Sequence, residues 1–308
     1  MKHISKITAI ALLATLSACE GSDMPIQQAD NHGYISFSAQ PQKTATRANP
    51  YEAYDPTRHP ATMGTFGYYD MPKRYASAAN TIFNNETATY NVATYGWDTA
   101  TKKRWTEYTK ASSFDFFAYM PYTGGATLLR TANNTYTLSF PFAMSDGGNP
   151  VPVIYDTKAA PIICAVPSSK GAISDSNGGG TVSLKFDQTL TGYKLLFMLG
   201  TKMNAIRHFR IKSVTLSGSF STSCTISRSY VWNTTSKSWS ASAITWSDIK
   251  RQSFVETPFP IAYKGYGSAD YDDNTQTVIV TPAGYTQWGA DIYTIPAVSY
   301  THLTLPTN

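Results

Sequence analysis

The chain of 308 residues is 42% hydrophobic and 13% aromatic, enough apolar material to build cores for two domains of ordinary size, which excludes an intrinsically disordered chain. Charged residues make up only 15%, and 40 Thr with 30 Ser carry the polarity instead; an average soluble domain is roughly 25% charged. The 25 basic and 20 acidic residues leave too small an excess for the footprint of a nucleic-acid binder, while Thr, 21 Tyr and 14 Phe, punctuated by 20 Gly and 17 Pro, predict an all-β chain.

At the start, Lys2 and Lys6 precede an apolar run from Ile7 to Leu16, so residues 1–18 read as an export signal. The run is too short to span a bilayer, which takes roughly 20 residues. Leu16-Ser17-Ala18-Cys19 has the form of a lipobox: small residues let a peptidase reach Cys19, whose thiol then takes a diacylglycerol. With N-acylation this gives the two or more chains that stable anchoring requires. Glu20-Gly21-Ser22-Asp23 resembles the acidic, Ser-containing stretch that directs lipoproteins to the outer surface. An ordinary signal peptide with an incidental Cys is the plainer alternative. Residues 19–33 are then a tether, and loss of Lys2 and Lys6 leaves 23 basic against 20 acidic residues.

Strict alternation predicts half-buried strands at Tyr34 to Ala39, with Ile35, Phe37 and Ala39 on one face, at Phe114 to Tyr119, and at Thr135 to Phe142. It returns at Thr181 to Asp187, where Val182, Leu184 and Phe186 share a face. Further strands are expected at Gly192 to Leu199, Phe209 to Ser217, Ser223 to Tyr230, Thr277 to Thr281 and Asp291 to Ile295, and Phe66 to Trp105 is a long aromatic-rich stretch. Short, closely spaced strands suggest sandwiches. The loop-like segment ending in Asn177-Gly178-Gly179-Gly180 places a boundary at 171–180, between an N-terminal sandwich (34–170) and a C-terminal one (181–297). Residues 298–308, from Val298 to Asn308, have the form of a translated sequencing adapter and stand outside the fold reasoning; on that reading the second sandwich is incomplete.

Chemistry is sparse. His32, His59 and His208 are far apart, and neither His-Glu-x-x-His nor Cys-x-x-Cys occurs, so neither metal nor cofactor is expected. No Gly-x-Ser-x-Gly elbow appears, and Gly178 to Gly180 precede a strand, not a helix. Asp70, Glu86, Asp98, Glu107 and Asp115 are carboxylates whose pairing a sequence does not reveal, and the expectation is a non-enzyme. Cys164 and Cys224 either bridge the two blocks or are two buried free thiols. Trp97, Trp105, Trp232, Trp239, Trp246 and Trp288 allow an alternative, a monomeric surface glycan-binding lipoprotein, against ordinary core and strand-edge packing.

The order of several motifs resembles a family. A lipobox and short tether lead to Ile35-Ser36-Phe37-Ser38-Ala39 and then Thr46-Arg47-Ala48. Gly67-Tyr68-Tyr69 and Phe114-Asp115-Phe116-Phe117-Ala118-Tyr119-Met120-Pro121 follow, then Leu184-Lys185-Phe186-Asp187-Gln188-Thr189-Leu190 and Ile211-Lys212-Ser213-Val214-Thr215-Leu216-Ser217-Gly218. This succession is similar to the fimbrillins, the type V pilins and Mfa-like lipoproteins of Gram-negative outer membranes. Asp187-Gln188 departs from it, since many members carry a His after the strand Phe, and the closing strands expected beyond Ile295 are missing. The resemblance implies two tandem transthyretin-like β-sandwich domains in a fimbrial structural or accessory subunit that supports adhesion. It implies other fimbrial subunits, the outer membrane and a host or bacterial surface receptor as partners, without nucleic acid. It also implies protease-activated strand exchange: cleavage after Arg47 makes Ala48 the new N-terminus, the strand of Ile35, Phe37 and Ala39 leaves, and a strand of another subunit takes its slot. A plain surface arginine is the alternative for Arg47.

Overall fold

The computed structural model describes residues 33–41, 59–71, 78–146, 148–151, 153–154, 159–173, 179–197, 209–211, 214–258, 271–272, 277–280 and 286–296. The described regular elements are strands and two short 3-10 turns, Ala78–Asn80 and Trp105–Tyr108, so the expected all-β class is what forms. The first strands are β1 (Ser36–Pro41), β2 (Thr62–Tyr69), β3 (Thr81–Asn91), β4 (Gly96–Thr99) and β5 (Ser113–Met120). A hairpin follows, β6 (Thr127–Ala132) and β7 (Thr135–Ala143), whose Asn134 takes φ 58, a conformation asparagine tolerates better than most residues. Then come β8 (Ser145–Asp146), β9 (Asn149–Pro150), β10 (Ile162–Cys164), β11 (Ser168–Gly171), β12 (Val182–Gln188), β13 (Thr191–Phe197) and β14 (Phe209–Ile211). The last are β15 (Thr215–Asn233), β16 (Ser238–Ala241), β17 (Thr245–Pro258), β18 (Tyr271–Asp272), β19 (Thr277–Val280) and β20 (Thr286–Thr294).

Eight strands make the first sheet, in the order β10-β12-β1-β4-β3-β2-β5-β11, and β10 also pairs β5, so the path closes on itself. The second sheet runs β16-β15-β7-β6, with β17 on the same edge of β15 as β16. Each sheet takes strands from both sides of residues 171–180: β12 lies parallel to β1, and β15 lies antiparallel to β7. The boundary expected at 171–180 is therefore not where the sheets part. Gly180, at its end, is tied to the first sheet, its carbonyl accepting the Trp105 Nε1 proton at 3.1 Å.

Strand β5 shows why the layers hold together. Expected to be half-buried, it is buried at every residue from Phe114 to Met120, because both of its faces meet protein. Phe114 and Phe116 turn toward Trp105, with ring centroids 5.2 and 5.9 Å away, and Phe116 packs edge-on against Phe37 at 5.8 Å. Phe117 turns the other way, meeting Tyr230 at 5.3 Å and Trp239 at 5.6 Å, and Tyr119 stacks on Phe140 at 4.5 Å. One strand thus contributes alternate aromatics to two aromatic layers, one within the first sheet and one between the sheets.

Polar contacts also join the sheets. Arg228 of β15 reaches Asp187 of β12 at 2.6 Å, and the Tyr230 hydroxyl donates to the Cys164 carbonyl at 2.7 Å. Cys164 and Cys224 are buried free thiols; burial pushes both thiols up, Cys224 to about 12. On the second sheet, hydroxyls pair across strands: Thr137 with Ser229 at 2.8 Å, Ser139 with Ser227 at 2.8 Å, and Thr131 with Thr137 at 3.1 Å. The Thr and Ser abundance is partly this ladder, in which neighbours on adjacent strands satisfy one another.

Candidate functional site

The first strand occupies an interior slot. On one side β1 is parallel to β12, with Phe37 opposite Val182 and Ala39 opposite Leu184; on the other it is antiparallel to β4, with Phe37 opposite Trp97. Ile35, Phe37 and Ala39 are all buried, and Phe37 is fully enclosed between Phe83 and Phe116, with centroids 5.8 Å away in each case. Ser36, on the opposite face, is buried too and lies 3.3 Å from the Thr181 hydroxyl. The expected alternation is present, with Ser38 and Gln40 half-buried on the second face, and the structure adds that Ser36 is buried there and that β1 is paired on both edges at Phe37. The backbone of β4 approaches so closely that a Cβ on Gly96 would sit 2.8 Å from the Phe37 carbonyl, so only glycine leaves room for β1 there.

Where β1 begins, a basic loop holds the chain. The Ile35 amide donates to the Lys103 carbonyl at 2.8 Å, and the Trp105 amide to the Gly33 carbonyl at 2.9 Å. Arg104 stands over the Tyr34 ring at 4.7 Å and donates to its hydroxyl at 2.8 Å, with Lys102 Nζ 5.5 Å from the same ring. These are cation–π contacts reinforced by a hydrogen bond. Cys19, Arg47, Ala48, His32 and His208 lie outside the described residues.

The other sequence candidates are placed separately. Asp70 accepts from Ser112 and Ser113, Glu86 from the Thr101 amide, Asp98 from Asn91 and Glu107 from the Arg104 amide. Trp97 and Trp105 are core residues. Trp246 is half-buried and donates to the Thr189 carbonyl at 3.1 Å, and Trp232 packs on Trp239 at 5.2 Å; the Trp288 side chain lies outside the described residues. Among the described residues no group of three His, Cys, Asp or Glu is placed to hold a metal ion. A half-open cleft of about 280 Å³, lined by Phe140, Phe142, Met144 and Ile154 among others, has no titratable residue among the described residues of its lining.

Among the described residues, Asp115 is the deeply buried carboxylate that links the sheets. Its Oδ1 accepts from Ser169 at 2.5 Å and from Trp239 Nε1 at 2.8 Å, while Oδ2 has no hydrogen-bond partner among the described residues. Burial raises its pKa above the ordinary 3.8, and the two hydrogen bonds only partly oppose that. Between 3.8 and the raised value the folded chain keeps a proton that the unfolded chain has lost, so stability falls as pH rises through that window and stays low above it. Measured by denaturant midpoint, the difference between parent and Asp115→Asn should therefore shift against the parent as pH rises from 4 toward neutrality. Parallel pH profiles would show that Asp115 does not titrate this way.

No protein-family model and no curated protein matches the chain. Two crystal structures are similar to it. One, of a "putative cell adhesion protein" from Bacteroides uniformis ATCC 8492, is 15% identical with a TM-score of 0.37, covering 87% of this chain and 77% of that one. The other, bearing the same description and from Bacteroides ovatus ATCC 8483, is 12% identical with a TM-score of 0.39, covering 85% and 78%.

Proposed function

We propose that the chain is a surface-exported structural or accessory subunit of a fimbrium, anchored through Cys19, which supports adhesion by assembling with other subunits through exchange of its first strand. The observation that carries this reading is the slot of β1. A strand whose Ile35, Phe37 and Ala39 are buried, paired with β12 from Phe37 to Pro41 and with β4 at Ser36 and Phe37, is joined to β2 through residues 42–61, which contain Arg47. Cleavage after Arg47 removes the covalent link while leaving the pairing, and a vacated slot presents two strand edges and an apolar floor to any strand of matching pattern. The order of motifs around the lipobox, Ile35 to Ala39 and Arg47 agrees with the same reading.

An arginine-specific protease provides the test. Treatment of the intact chain should cut after Arg47, and added peptide with the sequence of residues 34–41 should then exchange into the slot, detected by mass shift of the native complex. Arg47→Ala should block both events. A cut chain that retains its own strand against excess peptide would rule the exchange out, as would a chain that resists cutting after Arg47 while folded.

A further inference from the structure

Lys102-Lys103-Arg104 is the longest basic run in the chain, and residues 101–110 hold four basic side chains, Lys110 included, against Glu107 alone. Lys102, Arg104 and Lys110 are exposed and Lys103 is half-buried. In a chain with so few charges overall, this concentration has a definite location. The backbone of Lys103 and Trp105 is bonded to Ile35 and Gly33, and Arg104 and Lys102 cradle the Tyr34 ring. The basic loop is therefore fixed at the point where the chain enters the fold from its N-terminal segment.

We infer that this loop is an electrostatic contact for an anionic lipid surface. The location rests on the reading of Cys19 as a lipid anchor. Thirteen residues lie between Cys19 and Gly33 and span at most about 50 Å when fully extended, so the basic loop, at the point where the chain enters the fold, stays within that reach of the membrane. Phosphate-bearing headgroups complement it: exposed lysines within a Debye length of a negative surface are attracted to it, and each adds to the effect. Glu107, whose carboxylate accepts the Arg104 amide at 2.9 Å, offsets only one of the four positive charges and leaves the loop with a net charge of three. The loop gives a single lipid anchor a second, charge-based hold and sets which end of the protein faces the membrane.

Vesicle co-sedimentation tests this with the full chain carrying Cys19→Ser, using phosphatidylcholine vesicles with and without phosphatidylglycerol. Binding should be stronger with phosphatidylglycerol. Lys102→Gln/Lys103→Gln should lower that excess about tenfold, and raised salt should abolish it. Lys250→Gln/Arg251→Gln, on the exposed β17, is the control and should leave it unchanged. Arg104 stays in place because it holds Tyr34, and equal denaturant midpoints for both variants confirm that folding is intact. Equal binding to the two vesicle types, equal loss in both variants, or competition by inorganic phosphate beyond that of chloride at the same ionic strength would each overturn the inference. The measurement needs neither cleavage nor exchange, so its failure leaves the strand-exchange reading standing, and failure of that reading leaves this one standing.

Discussion

Phe37→Ala should lower the stability of the fold by about 4 kcal/mol, the cost of truncating a fully enclosed phenylalanine in a packed core. The ring fills the space between Phe83 and Phe116 and lies on a strand whose neighbours, β4 and β12, are fixed on both sides. The surroundings therefore have little freedom to collapse into the cavity, which places the cost toward the upper end of such substitutions. Phe37→Leu, which restores much of the volume, should cost less than half as much. Ser38→Ala, at a half-buried position of the same strand, should change stability by no more than about 0.5 kcal/mol. Denaturant titration of the three variants would check the set, and a Phe37→Ala loss below about 1 kcal/mol would mean that β1 is not seated as described.

Gly64→Ala should cost about 3 kcal/mol although it adds a single methyl group. A Cβ at Gly64 would fall on the Cε1, Cζ and Oη atoms of Tyr119, which lies opposite it on β5. The ring has nowhere to go. Its hydroxyl is 2.6 Å from the Thr123 carbonyl and 2.8 Å from Asn85 Oδ1 and accepts the Thr123 amide proton at 3.0 Å, while its face stacks on Phe140. A double-mutant cycle with Tyr119→Leu isolates the clash: Gly64→Ala should be far less costly once the tyrosine is gone. Additive losses would place the penalty in the backbone of β2 instead.

What the sequence made legible follows from what local pattern encodes. Val182 to Asp187 alternates cleanly, and Val182, Leu184 and Phe186 are buried while Ser183 and Lys185 are exposed; a period of two reports a strand with one covered face. Phe114 to Met120 was harder to read because Asp115 interrupts an otherwise apolar run. Continuous apolar character, which marks a strand covered on both sides, thus looked like alternation. β17 went unread for the opposite reason, since it is exposed from Ser247 to Ser253 and so has no buried period to detect. Alternation identified Ile35, Phe37 and Ala39 as the buried set of the first strand but held no information on their partners. Val182, opposite Phe37, is far away in sequence, and such pairing is written in no local window. The same holds at 171–180: a Gly- and Ser-rich segment marks a loop, not whether the strands on its two sides share a sheet, as β1 and β12 do. For the cysteines the sequence left both outcomes open, and the structure has two separate thiols, with Cys164 Sγ 3.0 Å from the Tyr230 hydroxyl.

The pairing of β1 on both edges has a mechanical consequence. Tension applied through the segment before Gly33 pulls along the axis of β1, while its hydrogen bonds to β12 and β4 run across that axis. The load falls on all of them together in shear, and none can be peeled away in turn. A strand held in this way resists steady pulling yet can be displaced stepwise by a competitor that enters at one end and replaces each bond as it breaks. The same slot would therefore be strong against force and, on the proposed exchange, still open to a competing strand.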